Sequence, residues 1–473
     1  MWFRFRKYGM GYCDLPTMLS NVTTMLKFLC LDIDPRNTKG VSFIFYIILT
    51  FTSTCYYYVY LISMIWFVFV RCIETGDLLA AIIVFSLGAS SEISMTKLWC
   101  MFSERKNLRK LISSFLECDA LVLPDSRFAN HMKITLRTVK KRAITVWIVI
   151  IMNGIIYVAI PLVFLCFSKR RFMEDSFEFL GFDNMATMKT SPYFEFAFVI
   201  NAVGVYVTCY PSANISALFI ILAGYIEAQM LALAQELTFV WTDALKNYNN
   251  AHIITHFKDT NSTSTHNSES QELSGIGTKA WSDKEATSRT LSDIKHISTR
   301  TSIQRAFGPN IISEEIITQK ERREINVYIH KRLAEIIKSH SMNINLLAKV
   351  EGVFRIAIAF EFLFLSIGLT AELLGDLGKT YIQLPFALMS VSIDCLIGQR
   401  IKDASMAFER AVYDSKWENF DVTNRKIILL MLRNSQKVMK LSAGSVATLT
   451  LECLMVVLKT TYSAYTTLRS TMN

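Results

Sequence analysis

The sequence predicts an all-α membrane protein with seven transmembrane helices, a cytosolic N-terminus and an extracellular C-terminus. Its 473 residues are 52% hydrophobic and only 19% charged, with a mean hydropathy of +0.31, which is unusual for a soluble globular chain. Several apolar runs are long enough to cross a bilayer, whose core of about 30 Å requires roughly 20 residues of helix. Basic residues concentrate between alternate runs, and this bias indicates the orientation.

Seven stretches are the predicted spans. Five are long and apolar: 41–70, 78–102, 144–167, 194–226 and 350–374. The sixth, 384–397, is short, and the seventh, 445–468, becomes polar in its second half, LKTTYSAYTTL. These two have the weakest support from hydropathy alone.

The distribution of Lys and Arg orients the spans. Thirty-nine of the 50 lie in the segments 1–40, 103–143, 246–346 and 399–440, whereas the segments on the other side hold seven. Short loops rich in Lys and Arg stay in the cytosol, so the N-terminus is predicted inside, opposite to a G-protein-coupled receptor. The net charge of +10 is therefore a topology signal, and no nucleic-acid partner is expected.

The predicted domain organisation follows from the spans. Residues 1–40 form a cytosolic N-terminal segment, and 41–248 hold helices 1–4 with a cytosolic extension of helix 4. Residues 326–398 comprise a cytosolic helix and helices 5 and 6, 399–443 are cytosolic anchor helices, and 444–473 are helix 7. Extensions of helices 4–7 beyond the bilayer carry apolar stripes, which predicts a helical bundle, the anchor, below the membrane.

Residues 249–325 differ in composition from the rest of the chain. They include KDTNSTSTHNSESQELSG and are rich in Ser, Thr, Asn and His. Such a segment cannot bury enough apolar surface to offset its ordering entropy, so a disordered cytosolic loop is predicted. Either a plain spacer or a phosphorylated regulatory loop fits this composition.

Motifs of catalysis and cofactor binding are missing from the sequence. It contains no Gly-rich phosphate loop, no G-x-S-x-G and no H-E-x-x-H. His252 and His256 have metal-ligand spacing, but they adjoin a loop without Cys or clustered acids. We therefore expect neither an enzyme nor a cofactor or metal site.

Ionisable residues inside the predicted spans are few. Glu92, Lys97, Arg355, Glu361 and Asp394 lie in the inner halves of their spans. A charge at such a depth is costly unless it finds a partner or reaches the membrane interface. We expect these groups to pair or to extend toward the cytosol.

Three segments near the C-terminus carry a family resemblance. LIGQRIKDASMAFERAVYDSKWENF (396–420) is followed by RKIILLMLRNSQKVMKLSAG (425–444) and VLKTTYSAYTTL (457–468). The order of Gly-Gln leaving the sixth span, Arg-x-Ser-Gln-Lys in a short helix and Lys-x-Thr-Tyr-Ser in the last helix resembles the C-terminal region of insect odorant receptors.

The resemblance implies a subunit of a tetrameric, ligand-gated, weakly selective cation channel that works with the olfactory co-receptor. A small volatile organic ligand, permeant cations and membrane lipid are the implied partners, and the plasma membrane of a sensory-neuron dendrite is the implied location. The last helix is more polar than that of the co-receptor, which favours an odorant-tuned subunit. A secondary transporter of small organic molecules and a non-conducting seven-helix receptor are the alternatives.

The last span lines the pore in this family, which implies that helix 7 is a pore helix here. Ser463, Thr467 and Ser470 lie at i, i+4 and i+7, which forms one stripe of small hydroxyls, and Thr471 adjoins it. Such oxygens suit a hydrated cation path. Alternatively, the hydroxyls bond their own carbonyls or join neighbouring helices.

Lys459 begins the polar half of the same span. A lysine facing a cation path would repel cations, so we expect it to be paired or turned toward another helix. Glu452, two turns earlier on the same face, is one candidate partner.

In this family the ligand binds among spans two, three, four and six. Asn153 and Tyr157 lie one helical turn apart, and each could donate a hydrogen bond to a ligand. A volatile organic molecule requires a mostly apolar, aromatic pocket, and ordinary helix packing is the alternative role of each candidate. The predicted ligand-binding residues are Phe85, Asn153, Tyr157, Phe198, Tyr206, Gln383 and Phe386.

The predicted subunit anchor includes residues from the cytosolic end of the sixth helix and the helix after it. Tyr413 and Trp417 lie one turn apart on the predicted overrun of span six, and Ile427 and Leu430 follow. Core packing within one subunit is the alternative role of these four residues.

Overall fold

The computed structural model describes residues 11–37, 40–168, 193–264, 319–375, 384–444 and 447–472, and this part of the chain is almost entirely helical. It divides into two compact units. The first comprises Met1–Thr238, Glu335–Ser415 and Ile428–Asn473, and the second comprises Phe239–Ala334 and Lys416–Ile427. The prediction of a helical protein is confirmed for the described residues.

The first unit begins with α1 (Leu15–Lys27), whose N-terminus is capped by Asp14. The Asp14 carboxylate accepts a hydrogen bond from the Thr17 N–H at 3.0 Å, which satisfies one of the amides that a helix start leaves without an intrahelical partner. Leu15, Leu19 and Leu26 on one face of α1 are fully buried, so this helix is part of the core.

The first predicted span corresponds to a continuous helical run that mixes α- and π-helix. It consists of α2 (Phe43–Cys55), a π segment (Tyr56–Leu61), α3 (Ile62–Trp66), a second π segment (Phe67–Arg71) and α4 (Cys72–Thr75). The π segments were not predicted from the sequence, because apolar periodicity does not distinguish them from α-helix.

Five long helices follow in the first half and the middle of the chain. They are α5 (Leu78–Ser103), α6 (Arg105–Ala120), α7 (Arg127–Ser168), α8 (Tyr193–Ser264) and α9 (Gln319–Leu374). α6 is amphipathic, and its buried face comprises Leu108, Leu111, Ile112, Phe115 and Cys118. α8 continues through Pro211, and every residue from 211 to 230 is buried. α8 is therefore central to the first unit.

The helices α8 and α9 extend into the segment predicted as a disordered loop. α8 continues to Ser264 and α9 begins at Gln319, so both ends of the predicted loop 249–325 are helical. The remainder of that prediction, 265–318, lies outside the described residues.

The chain after α10 (Leu384–Tyr413) differs from the predicted helical overrun. α10 ends at Tyr413, and Trp417–Asn419 form a separate 3₁₀ turn that follows Lys416, whose φ of 54° is left-handed. The expectation that Tyr413 and Trp417 lie one turn apart on one helix is wrong, because a left-handed residue ends helical geometry. α11 (Val422–Ser435) follows the turn.

A short hairpin precedes the last helix. β1 (Ser442–Ala443) pairs antiparallel with β2 (Ala447–Thr448), and Gly444 between them has a φ of +59°. The last helix, α12 (Leu451–Met472), therefore begins later than the predicted start at residue 445. This hairpin was not predicted, because strands of two residues have no periodicity to detect.

In the second unit, residues of three chain segments pack and bond together. Trp241 and Phe420 have ring centroids 6.2 Å apart. Asn424 Nδ2 donates to the Asn326 carbonyl at 2.9 Å, and Asn424 Oδ1 lies 3.2 Å from His330 Nδ1. These bonds join α9 to the start of α11.

Within the described residues, five helices are long and apolar enough to cross a membrane: α5, α7, α8, α9 and α10. α2 is a shorter apolar helix, and α12 has 22 residues with a polar second half. The protein is therefore a helical protein of the membrane type, while the count of seven spans stays a prediction.

Candidate ligand cavity and pore helix

A cavity of about 80 Å³ lies in the first unit among α3, α5, α7, α8 and α10. One water molecule needs roughly 10–15 Å³ of such volume, so the cavity has room for several chemical groups of that size. Its polar lining comprises Ser90, Ser91, Asn153, Tyr157 and Thr208. The remaining lining is apolar or small: Met64, Leu87, Gly154, Gly204, Val205, Cys209 and Phe386. A mainly apolar wall with a few polar groups is typical of a site for a small organic molecule.

Two serines of α5 connect the cavity to the carboxyl groups of Glu372, which is buried, and Glu92, which is half-buried. Ser90 Oγ donates to Glu372 Oε1 of α9 at 3.3 Å. Ser91 Oγ lies 2.7 Å from the hydroxyl of Tyr56, which donates to Glu92 Oε1 at 2.9 Å. These bonds hold the serine side chains in place, because each hydroxyl has a buried partner.

Small residues let helices approach closely at the cavity. A Cβ at Gly154 of α7 would lie 2.8 Å from Cys209 Sγ and 3.1 Å from Val205 Cγ1, both on α8. A Cβ at Gly368 of α9 would lie 3.1 Å from Ser90 Oγ. Larger side chains at these two positions would push apart the helices that form the cavity.

Three of the predicted ligand residues, Asn153, Tyr157 and Phe386, line the cavity. Phe85 and Tyr206 are outside its lining, with exposed fractions of 42% and 43%, and Tyr206 stacks on Tyr210 at 5.1 Å. Phe198 is half-buried on α8, also outside the lining, and Gln383 lies outside the described residues. Ligand contact stays a prediction for all seven residues.

Ser90 and Ser91 line the cavity but were not among the ligand-binding residues predicted from the sequence. Ser90 and Ser91 are adjacent hydroxylated residues within an apolar span, and Ser94 follows one turn later. Hydroxyls at this spacing on one membrane helix are a signal that a neighbouring group or ligand bonds them.

Lys97 of α5 forms a buried ion pair with Glu361 of α9. Nζ lies 2.5 Å from Glu361 Oε1 and 3.4 Å from Ser216 Oγ of α8. Asp394 of α10 is a close neighbour of Glu361 and Lys97, and all four side chains are buried. The expected pairing of intramembrane charges is confirmed for Lys97 and Glu361, and the cluster links four helices.

One face of α12 packs on the core of the first unit. Cys453, Leu454 and Val457 contact a cluster of buried residues contributed by α5, α9 and α10, which are Ile93, Leu365, Leu369, Ala387, Val391 and Cys395. Thr461 continues this face and is also buried. α12 therefore contacts α10, the helix that also contributes Phe386 to the cavity.

The Gly-Gln pair at the end of the sixth predicted span contacts the start of α12. A Cβ at Gly398 would lie 2.2 Å from the Leu449 carbonyl oxygen, so only glycine permits this approach. Gln399 Oε1 accepts from the Leu451 N–H at 3.4 Å, and its Nε2 donates to Asp403 Oδ1 at 2.7 Å. The motif thus connects α10 to the N-terminus of α12.

The other face of α12 is exposed and rich in hydroxyls. We call it the polar face; it includes the predicted pore-lining residues Ser463, Thr467, Ser470 and Thr471. Thr467 Oγ1 donates to the Ser463 carbonyl at 2.9 Å, Ser470 Oγ to the Thr467 carbonyl at 2.8 Å and Thr471 Oγ1 to the Leu468 carbonyl at 2.7 Å. Bonds from these hydroxyls to carbonyls of their own helix are one of the two alternatives to pore lining that the sequence left open. Pore lining by the four residues stays a prediction.

Lys459 is exposed on the same helix, as is Glu452. Among the ion pairs of the described residues, none joins these two side chains. The pairing of Lys459 with Glu452 is therefore wrong, because both side chains point to solvent in the isolated chain.

The four predicted anchor residues differ in exposure. Tyr413 and Leu430 are exposed at 64% and 60%, Trp417 is exposed to a smaller extent, and Ile427 is half-buried. Large exposed apolar side chains favour contact with another molecule over core packing for Tyr413 and Leu430. Their role as a subunit anchor stays a prediction.

Within the described residues, no group of three or more His, Cys, Asp and Glu side chains is arranged to hold a metal ion.

The comparisons with known proteins point to one family. The sequence profile of the 7tm odorant receptor family matches residues 77–462. Odorant receptor 22c of Drosophila melanogaster is 28% identical over 122 residues, which cover 24% of this chain and 30% of that receptor. Odorant receptor 85b of the same species is 26% identical over 146 residues, which cover 29% and 37%. The matched segments thus span about a third of the length of these relatives.

The fold is similar to that of a solved olfactory receptor. The insect olfactory receptor OR5 from Machilis hrabei in complex with eugenol superposes with a TM-score of 0.64, covering 97% of this chain and 98% of that chain at 12% identity. The structure of OR5 by itself gives a TM-score of 0.63, covering 96% and 98% at the same identity.

Proposed function

This chain belongs to the 7tm odorant receptor family, and from that premise we propose that it is a subunit of a cation channel opened by a small volatile organic ligand. We propose further that it is an odorant-tuned subunit that works with the olfactory co-receptor. The relatives that it matches are receptors rather than enzymes.

The polar face of α12 is the observation that carries the proposal. The hydroxyls of Thr467, Ser470 and Thr471 donate their single protons to carbonyls of their own helix, so their oxygen lone pairs remain available as acceptors. Exposed acceptor oxygens would be poorly solvated in lipid, but they suit a path for hydrated cations. In a tetramer with the co-receptor, the last helices of the four subunits would surround that path, and this chain would contribute its polar face.

The cavity supports a small organic ligand. Its lining combines Phe386 and other apolar groups with Asn153 and Tyr157, and burial of apolar surface would supply most of the affinity. The description of OR5 in complex with eugenol supports the same ligand class for this chain.

A physical link between ligand and pore supports gating. α10 contributes Phe386 to the cavity and Val391 and Cys395 to the cluster on which α12 packs. A ligand that binds one arrangement of α10 more tightly than another would favour that arrangement, by at most the difference between the two binding free energies. Because α12 packs on α10, the preferred arrangement of α12 would change with it. Binding in the cavity would thereby open the path along α12.

Topology and assembly complete the proposal. We place seven spans in the plasma membrane, with the N-terminus in the cytosol. The exposed Tyr413 and Leu430 would contact neighbouring subunits below the membrane.

Voltage-clamp recording of cells that express the chain with and without the olfactory co-receptor tests the proposed function. A ligand-evoked current that reverses near 0 mV is expected for a weakly selective cation channel. Ligand uptake without current would instead indicate a transporter, and ligand binding without current a non-conducting receptor.

A glycosylation tag tests the topology independently. An acceptor sequence appended after Asn473 should be modified, because the C-terminus is proposed to be extracellular. An unmodified tag at that position, with modification of a tag placed before the first span, would invert the orientation.

A further inference from the structure

Two hydroxyls of the cavity wall have their protons committed to carboxylate or carbonyl oxygens. A hydroxyl has one proton to donate and two lone pairs that accept. Ser90 Oγ donates to Glu372 Oε1 at 3.3 Å, and Thr208 Oγ1 donates to the Gly204 carbonyl at 2.9 Å. Neither group has a proton left for a ligand.

The proton of Ser91 is committed as well. Its Oγ lies 2.9 Å from the Gly88 carbonyl and 2.7 Å from the Tyr56 hydroxyl oxygen. Tyr56 donates its own proton to Glu92 Oε1 at 2.9 Å, so it has none for Ser91. Ser91 must therefore be the donor to Tyr56 or to Gly88, and its remaining lone pairs are all that it can offer a ligand.

These three oxygens belong to residues that line the cavity, and each can accept a hydrogen bond from a ligand but has no proton to donate. Ser90 bonds the Glu372 carboxyl group directly, and Ser91 connects to the Glu92 carboxyl group through the Tyr56 hydroxyl, which strengthens the acceptor character of both serine oxygens. A ligand hydroxyl or amine would donate to these oxygens, whereas a ligand carbonyl or ether oxygen would face lone pairs and lose its own hydrogen bonds to water.

We propose that this cavity selects ligands that carry a hydrogen-bond donor on a small apolar body, that is alcohols, phenols or amines, and that Ser90 and Ser91 determine this selectivity. The inference rests on the proposed function, because it assigns a ligand class to the same cavity. The preference arises at Ser90, Ser91 and Thr208, whose oxygens can accept a hydrogen bond from a ligand but cannot donate one.

Two matched ligand series test the proposal on the full chain in lipid nanodiscs. The probes are benzyl alcohol, benzaldehyde and toluene, and 1-hexanol, hexanal and hexane. Thermal stabilisation of the protein, measured against ligand concentration, gives an apparent Kd for each. One neutral hydrogen bond corresponds to roughly a 2- to 12-fold change in Kd. The alcohol should bind tighter than the aldehyde and the hydrocarbon of its series by at least the lower end of this range.

Variants assign the preference to the serines. Ser90→Ala and Ser91→Ala should each bring the Kd of the alcohol toward that of the hydrocarbon and leave the Kd of the hydrocarbon nearly unchanged. Ser86→Ala is the matched control, since Ser86 is buried on the same helix, donates to the Ile83 carbonyl at 2.7 Å and lies outside the lining. The order of the Kd values of alcohol, aldehyde and hydrocarbon in the unmodified protein tests the donor preference even if a variant does not fold.

The outcomes separate this inference from the proposed function. An aldehyde that binds as tightly as its alcohol overturns the donor preference and leaves the cavity as a ligand site. An alcohol preference that survives both serine variants overturns the role of the serines. If no member of either series stabilises the protein or evokes current with the co-receptor, the proposed function fails together with the inference.

Discussion

The Lys97–Glu361 cluster and the polar face of α12 both place polar groups on helices that would lie in a membrane, but their partners differ. Lys97 is bonded to a side chain of another helix and is buried with it. On the polar face, Thr467, Ser470 and Thr471 are bonded through their hydroxyls to carbonyls of their own helix and remain exposed. The first region depends on tertiary structure, whereas the second depends on a single helix and on what surrounds the chain.

This difference predicts how each region responds to mutation. A buried charge that loses its partner retains its full desolvation cost, so changes in the cluster should reduce stability. A hydroxyl that bonds its own backbone can be removed at little cost to folding, so changes on the polar face should alter function alone.

The largest effect is expected from Lys97→Met, which leaves Glu361 and Asp394 buried without a cation. The loss of unfolding free energy should be about 3–5 kcal/mol, measured by thermal unfolding in detergent. The matched control is Lys459→Met, since Lys459 is exposed on α12 and should change stability by about 0.5 kcal/mol or less.

A double variant tests the reason for that loss. Lys97→Met combined with Glu361→Met replaces the pair with apolar side chains and should be more stable than Lys97→Met alone. Equal destabilisation by the single and double variants would mean that lost packing, not the unpaired charge, dominates.

A smaller loss is expected at the close approach of α10 to the residues just before α12. Gly398→Ala places a Cβ against the Leu449 carbonyl oxygen, and overpacking of this kind costs about 1–3 kcal/mol. It should also shift α12 and reduce ligand-evoked current. Gly352→Ala on α9 is the control, because no atom lies within 4 Å of its added Cβ; a similar loss there would contradict the steric explanation.

Burial also affects the protonation of His340, which lies outside the predicted spans. His340 of α9 stacks on Phe408 at 4.3 Å, and its burial lowers its pKa below the ordinary value of 6.5. Between the lowered folded pKa and the unfolded value, the unfolded state binds more protons, so stability should fall as the pH decreases below 6.5, by at most about 1.4 kcal/mol per pH unit.

The variant His340→Phe retains a ring against Phe408 but cannot titrate. Thermal unfolding from pH 7.5 to 5.5 should show a weaker pH dependence for this variant than for the unmodified protein. Identical slopes in both proteins would assign the pH dependence to other groups.

The smallest stability effect is expected on the polar face. Thr467→Val removes a hydroxyl that bonds only the Ser463 carbonyl of its own helix, so unfolding free energy should change by about 0.5 kcal/mol or less. If Thr467 lines the pore, the relative permeability to cations should change in bi-ionic reversal-potential measurements. Thr370→Val is the control. The Thr370 hydroxyl donates in the same way to the Ser366 carbonyl of its own helix at 2.8 Å, but this helix is α9 and not the proposed pore helix.

Much of the helical architecture could be predicted from the sequence. The long apolar runs at 78–102 and 350–374 match α5 and the end of α9 closely, because apolar length is a local property. The resemblance read from 396–468 is confirmed by the family match over residues 77–462. Helix ends were less predictable: the left-handed Lys416 and the hairpin before α12 depend on contacts made after the helices pack.

The candidate cavity was predicted only in part. Asn153, Tyr157 and Phe386 were selected for their chemistry and line it, whereas Phe85 and Tyr206 have similar chemistry but lie outside it. Position along a helix does not reveal which neighbour a side chain meets, since that depends on rotation of the helix and on close approaches such as that at Gly154.

The sequence alone determined the class of the protein, its apolar helices and its family, because hydropathy, charge distribution and short motifs are local properties of the chain. Only the tertiary structure decided which polar groups became partners. The Lys97–Glu361 pair and the bond from Ser90 to Glu372 connect residues more than 260 positions apart. Their energies depend on burial and on distances of a few ångströms, which arise only when the helices pack together.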